Sequence, residues 1–185
     1  MKNPKLASRF AAALFDFAIE NNTVEVVYKD ILLVQKVVTE NPVLKTAIES
    51  PIIPEDKKQK IFREVFIKNI SETAFKFFVI LIKKRREPQL VMICQQFVKI
   101  YYAKHNIKET YITTALPLSE KMKLYLKKDI EKDSPYTFIF HFDVNENIIG
   151  GIIVKFDDLF FDASVRTKIN KLKAEFSQNA YAVGY

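Results

Sequence analysis

Glycine is almost absent from this chain of 185 residues: there are three, and two stand side by side at Gly150 and Gly151. They interrupt an apolar, β-branched run, Ile148-Ile149-Gly150-Gly151-Ile152-Ile153-Val154. Glycine inside a strand sacrifices side-chain packing and backbone entropy, so it marks a bulge, a bend or a close backbone approach. The pair therefore predicts a local backbone path that side chains would forbid. Asn147 before the run and Asp162 beyond it are turn formers, and the stretch reads as strand, turn, strand and helix.

Upstream the period is different. Residues 4–105 are dominated by helical spacing of apolar residues. A first helix is expected over 4–21, with Pro4 in the first turn and two apolar stripes. Leu6, Phe10, Ala13, Leu14 and Phe17 form one stripe, and Ala7, Ala11, Phe15 and Ala18 the other. Further helices are expected over 24–40, 42–49 and 55–66, the last opened by Glu55 and Asp56, which suit a positive helix end. Ser71 is a candidate cap for a helix over 74–85 that is apolar nearly all round, either central to a bundle or packed on one side and used for binding on the other. Glu87-Pro88 is expected to open a long helix to Lys104.

From Asn106 onward strand and helix signals alternate: β over 110–115, a helix from Ser119 to about Lys132, β over 136–142 and 149–156, and a closing helix over 164–176. The expected fold is mainly α with a smaller α+β part: an amino-terminal six-helix bundle over 1–105 and a small mixed domain over 106–185.

Charge divides along the same line. Residues 1–105 hold 18 Lys and Arg against 11 Asp and Glu, whereas residues 106–185 hold 11 of each, so all of the net +7 lies in the first part. A basic domain suits nucleic acid, anionic lipid or an acidic protein surface, and composition does not choose among them. No apolar run reaches the roughly 20 residues of a spanning helix, and the amino terminus lacks the apolar core of a signal peptide. Cys94 is the single cysteine, which excludes an internal disulfide and points to a reducing compartment.

Chemistry has little to stand on. His105 and His141 are far apart in the chain, and Cys94 has no partner at a recognisable spacing. Asp157-Asp158 reads as a hairpin turn rather than a metal pair. Gly150-Gly151 lacks the lysine and hydroxyl residue that complete a phosphate loop. The densest charge run, Lys83-Lys84-Arg85-Arg86, reads as a solvated helix end favoured by the negative pole of the dipole. Its alternative is a phosphate grip in a basic nucleic-acid-binding module, although no stacked aromatic pattern accompanies it.

Six stretches, in order along nearly the whole chain, carry a resemblance. They are Arg9-Phe10-Ala11-Ala12-Ala13-Leu14-Phe15 with Ala18; Ser50-Pro51 with Lys57 and Lys60; and Phe77, Leu81, Ile82, either Arg85 or Arg86, and Leu90. The others are Thr114-Ala115-Leu116-Pro117-Leu118; Asp143 with Ile148-Ile149-Gly150-Gly151-Ile152; and Asp162-Ala163-Ser164-Val165-Arg166 with Leu172. In these the chain resembles the delta-subunit family of bacterial F-type ATP synthases, equivalent to the mitochondrial oligomycin-sensitivity-conferring protein. Lys76 stands where the family has asparagine, and Ala163 where it has glycine.

The resemblance implies a non-catalytic stator subunit of the peripheral stalk, without cofactor or metal, at the cytoplasmic face of the bacterial inner membrane. It implies that the helical domain holds the amino-terminal helix of an alpha subunit and that the second domain meets the b-type stalk subunits, that domain being less ordered when its partner is absent. Nucleic acid and small-molecule substrates are not expected partners. The expected contributors to the alpha-helix groove are Leu6, Phe10, Ala13 and Leu14 with Phe75, Phe78, Val79 and Ile82, as a common helix-in-groove mode. Gly150, Gly151, Asp162, Ser164 and Arg166 are expected to be structural, Ser164 capping the last helix and Arg166 pairing with a carboxylate.

Overall fold

The computed structural model describes residues 4–132, 134–157 and 159–179. Asp158 and residues 1–3, which figured in the turn and terminal readings, lie outside them. The chain divides into two compact units, Met1–Lys104 and His105–Tyr185.

The described residues of the first unit form α1 (Pro4–Glu20), α2 (Val24–Glu40), α3 (Pro42–Glu49), α4 (Glu55–Phe66), α5 (Glu72–Lys83), a 3-10 turn (Glu87–Gln89) and α6 (Leu90–Lys104). The two stripes of α1 separate except at Leu14, which belongs to the first and is buried with the second. Ala7, Ala11, Phe15 and Ala18 are buried, and the small alanines let α1 lie close along α6, where Phe15 meets the Phe97 ring edge-on at 5.7 Å. Val27, Ile31, Val34 and Val38 of α2 complete that part of the core. On the other side Phe62 bridges α4 and α5, with ring centroids 4.5 Å from Phe66 and 5.0 Å from Phe78.

Two polar ties hold α5 and the turn that follows it. Ser71 caps α5, its hydroxyl accepting from the Ala74 amide, while the buried Asp30 of α2 accepts from the Ser71 amide at 2.9 Å. Lys58 and Glu87 form a buried ion pair at 2.5 Å, an arrangement whose desolvation cost is offset only while both partners are present. Expected and observed helices differ most around α5, which begins at Glu72 rather than Ala74. The fifth helix stops at Lys83, because Arg85 takes a left-handed φ of 53° and the Arg86 amide returns to the Leu81 carbonyl, a helix-ending geometry usually given to glycine. Glu87-Pro88 opens a 3-10 turn, and α6 starts only at Leu90.

The second unit contains β1 (Ile107–Thr114), α7 (Glu120–Glu131), β2 (Thr137–Val144), a 3-10 turn (Glu146–Ile148), β3 (Ile152–Phe156), β4 (Leu159–Asp162) and α8 (Val165–Asn179). The sheet order is β2-β1-β3-β4. β1 runs parallel to β2, α7 connecting them in sequence, and antiparallel to β3, which pairs antiparallel with β4. The architecture is therefore mainly helical with a small mixed sheet of four strands. Ser119 caps α7 by accepting from Met122. No residue of α7 is buried; instead Lys123 and Lys127 lie over the Phe142 ring of β2, and Lys127 also over Phe140, laying their aliphatic stems along apolar surface. At the β3–β4 hairpin Asp157 has φ 46° and forms an ion pair with Lys108.

The strand expected to start at Ile149 starts at Ile152. Ile149 has φ 69° and Gly151 φ 79°, so the chain turns before it can pair. A Cβ on Gly151 would sit 2.3 Å from the Ala163 carbonyl oxygen, and one on Gly150 3.1 Å from Val165 Cγ2. The Val165 amide donates to the Gly150 carbonyl at 2.9 Å. The glycine pair thus seats the start of α8 against the end of the 3-10 turn. Ser164 Oγ accepts from the Thr167 amide, and Asp162 accepts from the Ser164 amide and the Thr167 hydroxyl, each at 2.8 Å. Arg166, expected to pair with a carboxylate, is exposed and forms no ion pair among the described residues.

Gly151→Ala must both adopt a left-handed backbone and move the Ala163 peptide, costing about 2 kcal/mol or more. Amide exchange of the full chain checks this: faster exchange confined to the second unit is expected, and unchanged protection there would contradict it. Hydrogen bonding by Ser164, then Thr167, holds the Asp162 carboxyl below its ordinary 3.8. A depressed carboxylate contributes stability above its unfolded value and loses it as pH falls through the folded one. Acid unfolding of the second unit below about pH 4 should therefore have a shallower limb in Asp162→Asn; superimposable pH profiles would refute this role.

Candidate partner-binding groove

The face of α1 that its alanines do not use lies beside α5. Phe10, Ala13, Leu14 and Phe17 from α1 and Thr73, Lys76, Phe77 and Ile80 from α5 line an open groove of about 360 Å³. It follows from two periodicities. Once Ala7, Ala11, Phe15 and Ala18 face α6, Phe10 and Phe17 are rotated outward, and Phe17 is 49 % exposed. Once Phe78, Leu81 and Ile82 enter the core, Phe77 is left half-buried at its flank and Ile80 turns outward, 49 % exposed. Such a stripe on a rigid helix pair has the shape and chemistry to take the apolar face of another helix.

Of the eight residues expected here, the structure brings Phe10, Ala13 and Leu14 together along the groove and leaves Leu6 half-buried outside its lining. The α5 half is corrected. Phe78 and Ile82 are 0 % and 1 % exposed and form core, while Phe75 and Val79 line a different depression, between α4 and α5. The α5 residues beside α1 are Thr73, Lys76, Phe77 and Ile80. Sequence reasoning missed these because α5 is apolar nearly all round. The hint was Lys76, which cannot be core without a partner and so marks the outer side.

The second unit displays apolar surface of another kind. Leu159, Phe160 and Phe161 of the edge strand β4 are each more than 60 % exposed. Met122, Leu124 and Tyr125 of α7 and Leu172 and Phe176 of α8 are exposed as well. Patches of this sort on a small unit mark interaction surfaces.

Groups capable of chemistry are arranged otherwise. Cys94 is fully buried in α6, and burial pushes its thiol up to about 12, where thiolate is absent at neutral pH. His141 stacks on Tyr111 at 4.8 Å on the sheet surface, its Nε2 3.5 Å from Glu109 Oε1. Among the described residues no group of three or more His, Cys, Asp or Glu is placed to hold a metal ion. No described helix is long and apolar enough to cross a membrane.

Known proteins match nearly the whole length. The ATP synthase delta (OSCP) subunit family profile covers residues 6–176. ATP synthase subunit delta of Salinibacter ruber is 30 % identical over 185 residues, covering 97 % of each chain. That of Amoebophilus asiaticus is 31 % identical over 180 residues, covering 97 % of this chain and 98 % of the relative. Among solved structures, a chain of the Toxoplasma gondii mitochondrial ATP synthase hexamer superposes over 92 % of this chain and 97 % of its own with TM-score 0.71 at 19 % identity, a likeness of fold. On this match of profile, relatives and architecture, the chain belongs to the ATP synthase delta (OSCP) subunit family, the peripheral-stalk component of F-type ATP synthase.

Proposed function

We propose that the α1–α5 groove receives the amphipathic amino-terminal helix of an alpha subunit, and that the exposed apolar residues of the second unit meet the b-type stalk subunits. The chain then works as a mechanical link. One unit holds the catalytic head, the other the immobile arm, and neither performs chemistry. In this reading it resides at the membrane's cytoplasmic face through the assembled complex and needs no cofactor.

The observation that carries the reading is that Phe10 and Phe17 from α1 and Phe77 and Ile80 from α5 converge on one groove while the same helices satisfy the core with their other faces. A link under rotary torque needs grip at both ends. Apolar burial supplies roughly 25 cal/mol per Å² before the costs of association are subtracted. Because the groove is built on helices whose inner faces are already packed, little ordering cost falls on its own side.

Titration of an alpha amino-terminal peptide into the full chain tests this. Phe10→Asp and Phe17→Asp should each weaken binding at least tenfold, with helical content by circular dichroism unchanged, since a charge in the centre of a desolvated contact removes a main anchor. Wild-type affinity in both folded variants would exclude the groove as the site.

A further inference from the structure

The charge of the first unit is concentrated further than its total reveals. Residues 55–86, spanning α4, α5 and their flanks, contain ten Lys and Arg against four Asp and Glu, an excess of +6 out of the chain's +7. Three of the ten are paired: Lys58 with Glu87, Lys76 with Glu72, and Arg85 with Glu55.

Three of these cations, Arg63, Lys76 and Lys83, with one carboxylate, Glu72, line a second groove that borders the first along Lys76 and Ile80. It lies between α4 and α5, has a volume of about 570 Å³, and its apolar floor is Phe75, Val79, Ile67 and Ile80. Ile67 and Ile80 are close to half exposed. Arg63 rises from α4 over the Phe75 ring at 5.6 Å, and Lys83 stands at the carboxy-terminal end of α5. Both are exposed, and neither forms an ion pair among the described residues. The groove follows α5 from Glu72 to Lys83, which at 1.5 Å per residue is about 17 Å, or three helical turns.

We infer that this α4–α5 groove is a second docking site, for a three-turn amphipathic helix of a partner protein whose apolar stripe is flanked by Asp or Glu. The floor requires apolar side chains at helical spacing, and Arg63 and Lys83 supply cations to both ends of the stripe without being neutralised inside the chain. Nucleic acid satisfies the cations but leaves the aliphatic floor unused, so the observations favour the acidic helix. The site shares Lys76 and Ile80 with the α1–α5 groove and has Arg63, Ile67, Phe75, Val79 and Lys83 to itself.

Two labelled helix-forming peptides of equal length and identical leucine stripe, one flanked by glutamate and one by lysine, serve as probes for fluorescence anisotropy with the full chain. The glutamate peptide should bind at least tenfold tighter at low salt, with the difference shrinking in 0.5 M salt as exposed pairs are screened. Arg63→Glu/Lys83→Glu should abolish the preference, while Phe17→Asp in the first groove leaves it intact. In the unmodified chain, chemical-shift changes should map to Arg63, Ile67, Phe75 and Val79. Equal binding of the two peptides, a preference that survives charge reversal, shifts confined to α1, or displacement of the glutamate peptide by a random-sequence oligonucleotide of higher affinity would each overturn the proposal.

Discussion

The seating of α1 on α6 is the contact on which the rest of the first unit turns. Ala7, Ala11 and Ala18 are small enough to bring two helix backbones close, and Phe15 fills the space they leave against Phe97. A helix has only one rotation that satisfies such a stripe. That rotation commits Phe10 and Phe17 to the outside. The same logic governs α5, where Phe78, Leu81 and Ile82 claim the core, leaving Phe77 half-buried at its flank and Ile80 exposed. The groove is therefore a by-product of core packing, and its geometry is as firm as the core that sets it.

Much of this was legible before any coordinates. Periodicity and caps place the helices of both parts within a few residues, because Ser71 and Ser119 announce their helices and proline suits the first turns of α1 and α3. The inward stripe of α1 was not legible, since two apolar stripes on one helix are equivalent until a neighbour chooses. Nor was the binding side of α5, where hydrophobicity all round removes the contrast that periodicity needs. Arg85 in a left-handed conformation gives no sign of itself in sequence, which is why the helix end was misplaced.

In the second unit the glycine pair was the informative signal, and its physical reason is now specific: a backbone carbonyl, that of Ala163, occupies the space a side chain on Gly151 would need. Alanine at position 163 does not disturb this turn, its amide donating to the Ile152 carbonyl at 2.9 Å. Harder to foresee was α7, whose lysine stems rather than aliphatic side chains cover the aromatic ladder of β2. That covering is thin, and it leaves Met122, Leu124 and Tyr125 facing out. The two units thus present different surfaces: a preformed groove between packed helices in one, and an edge strand with exposed helix faces in the other.

A stator subunit must transmit torque without yielding, and the account places that duty on side chains whose helices are anchored from behind. Hydrogen–deuterium exchange of the full chain, free and bound to the isolated catalytic head, tests it most directly. The account predicts new protection centred on residues 6–17 of α1 and 73–80 of α5. Protection absent from both segments in a stable complex would contradict it.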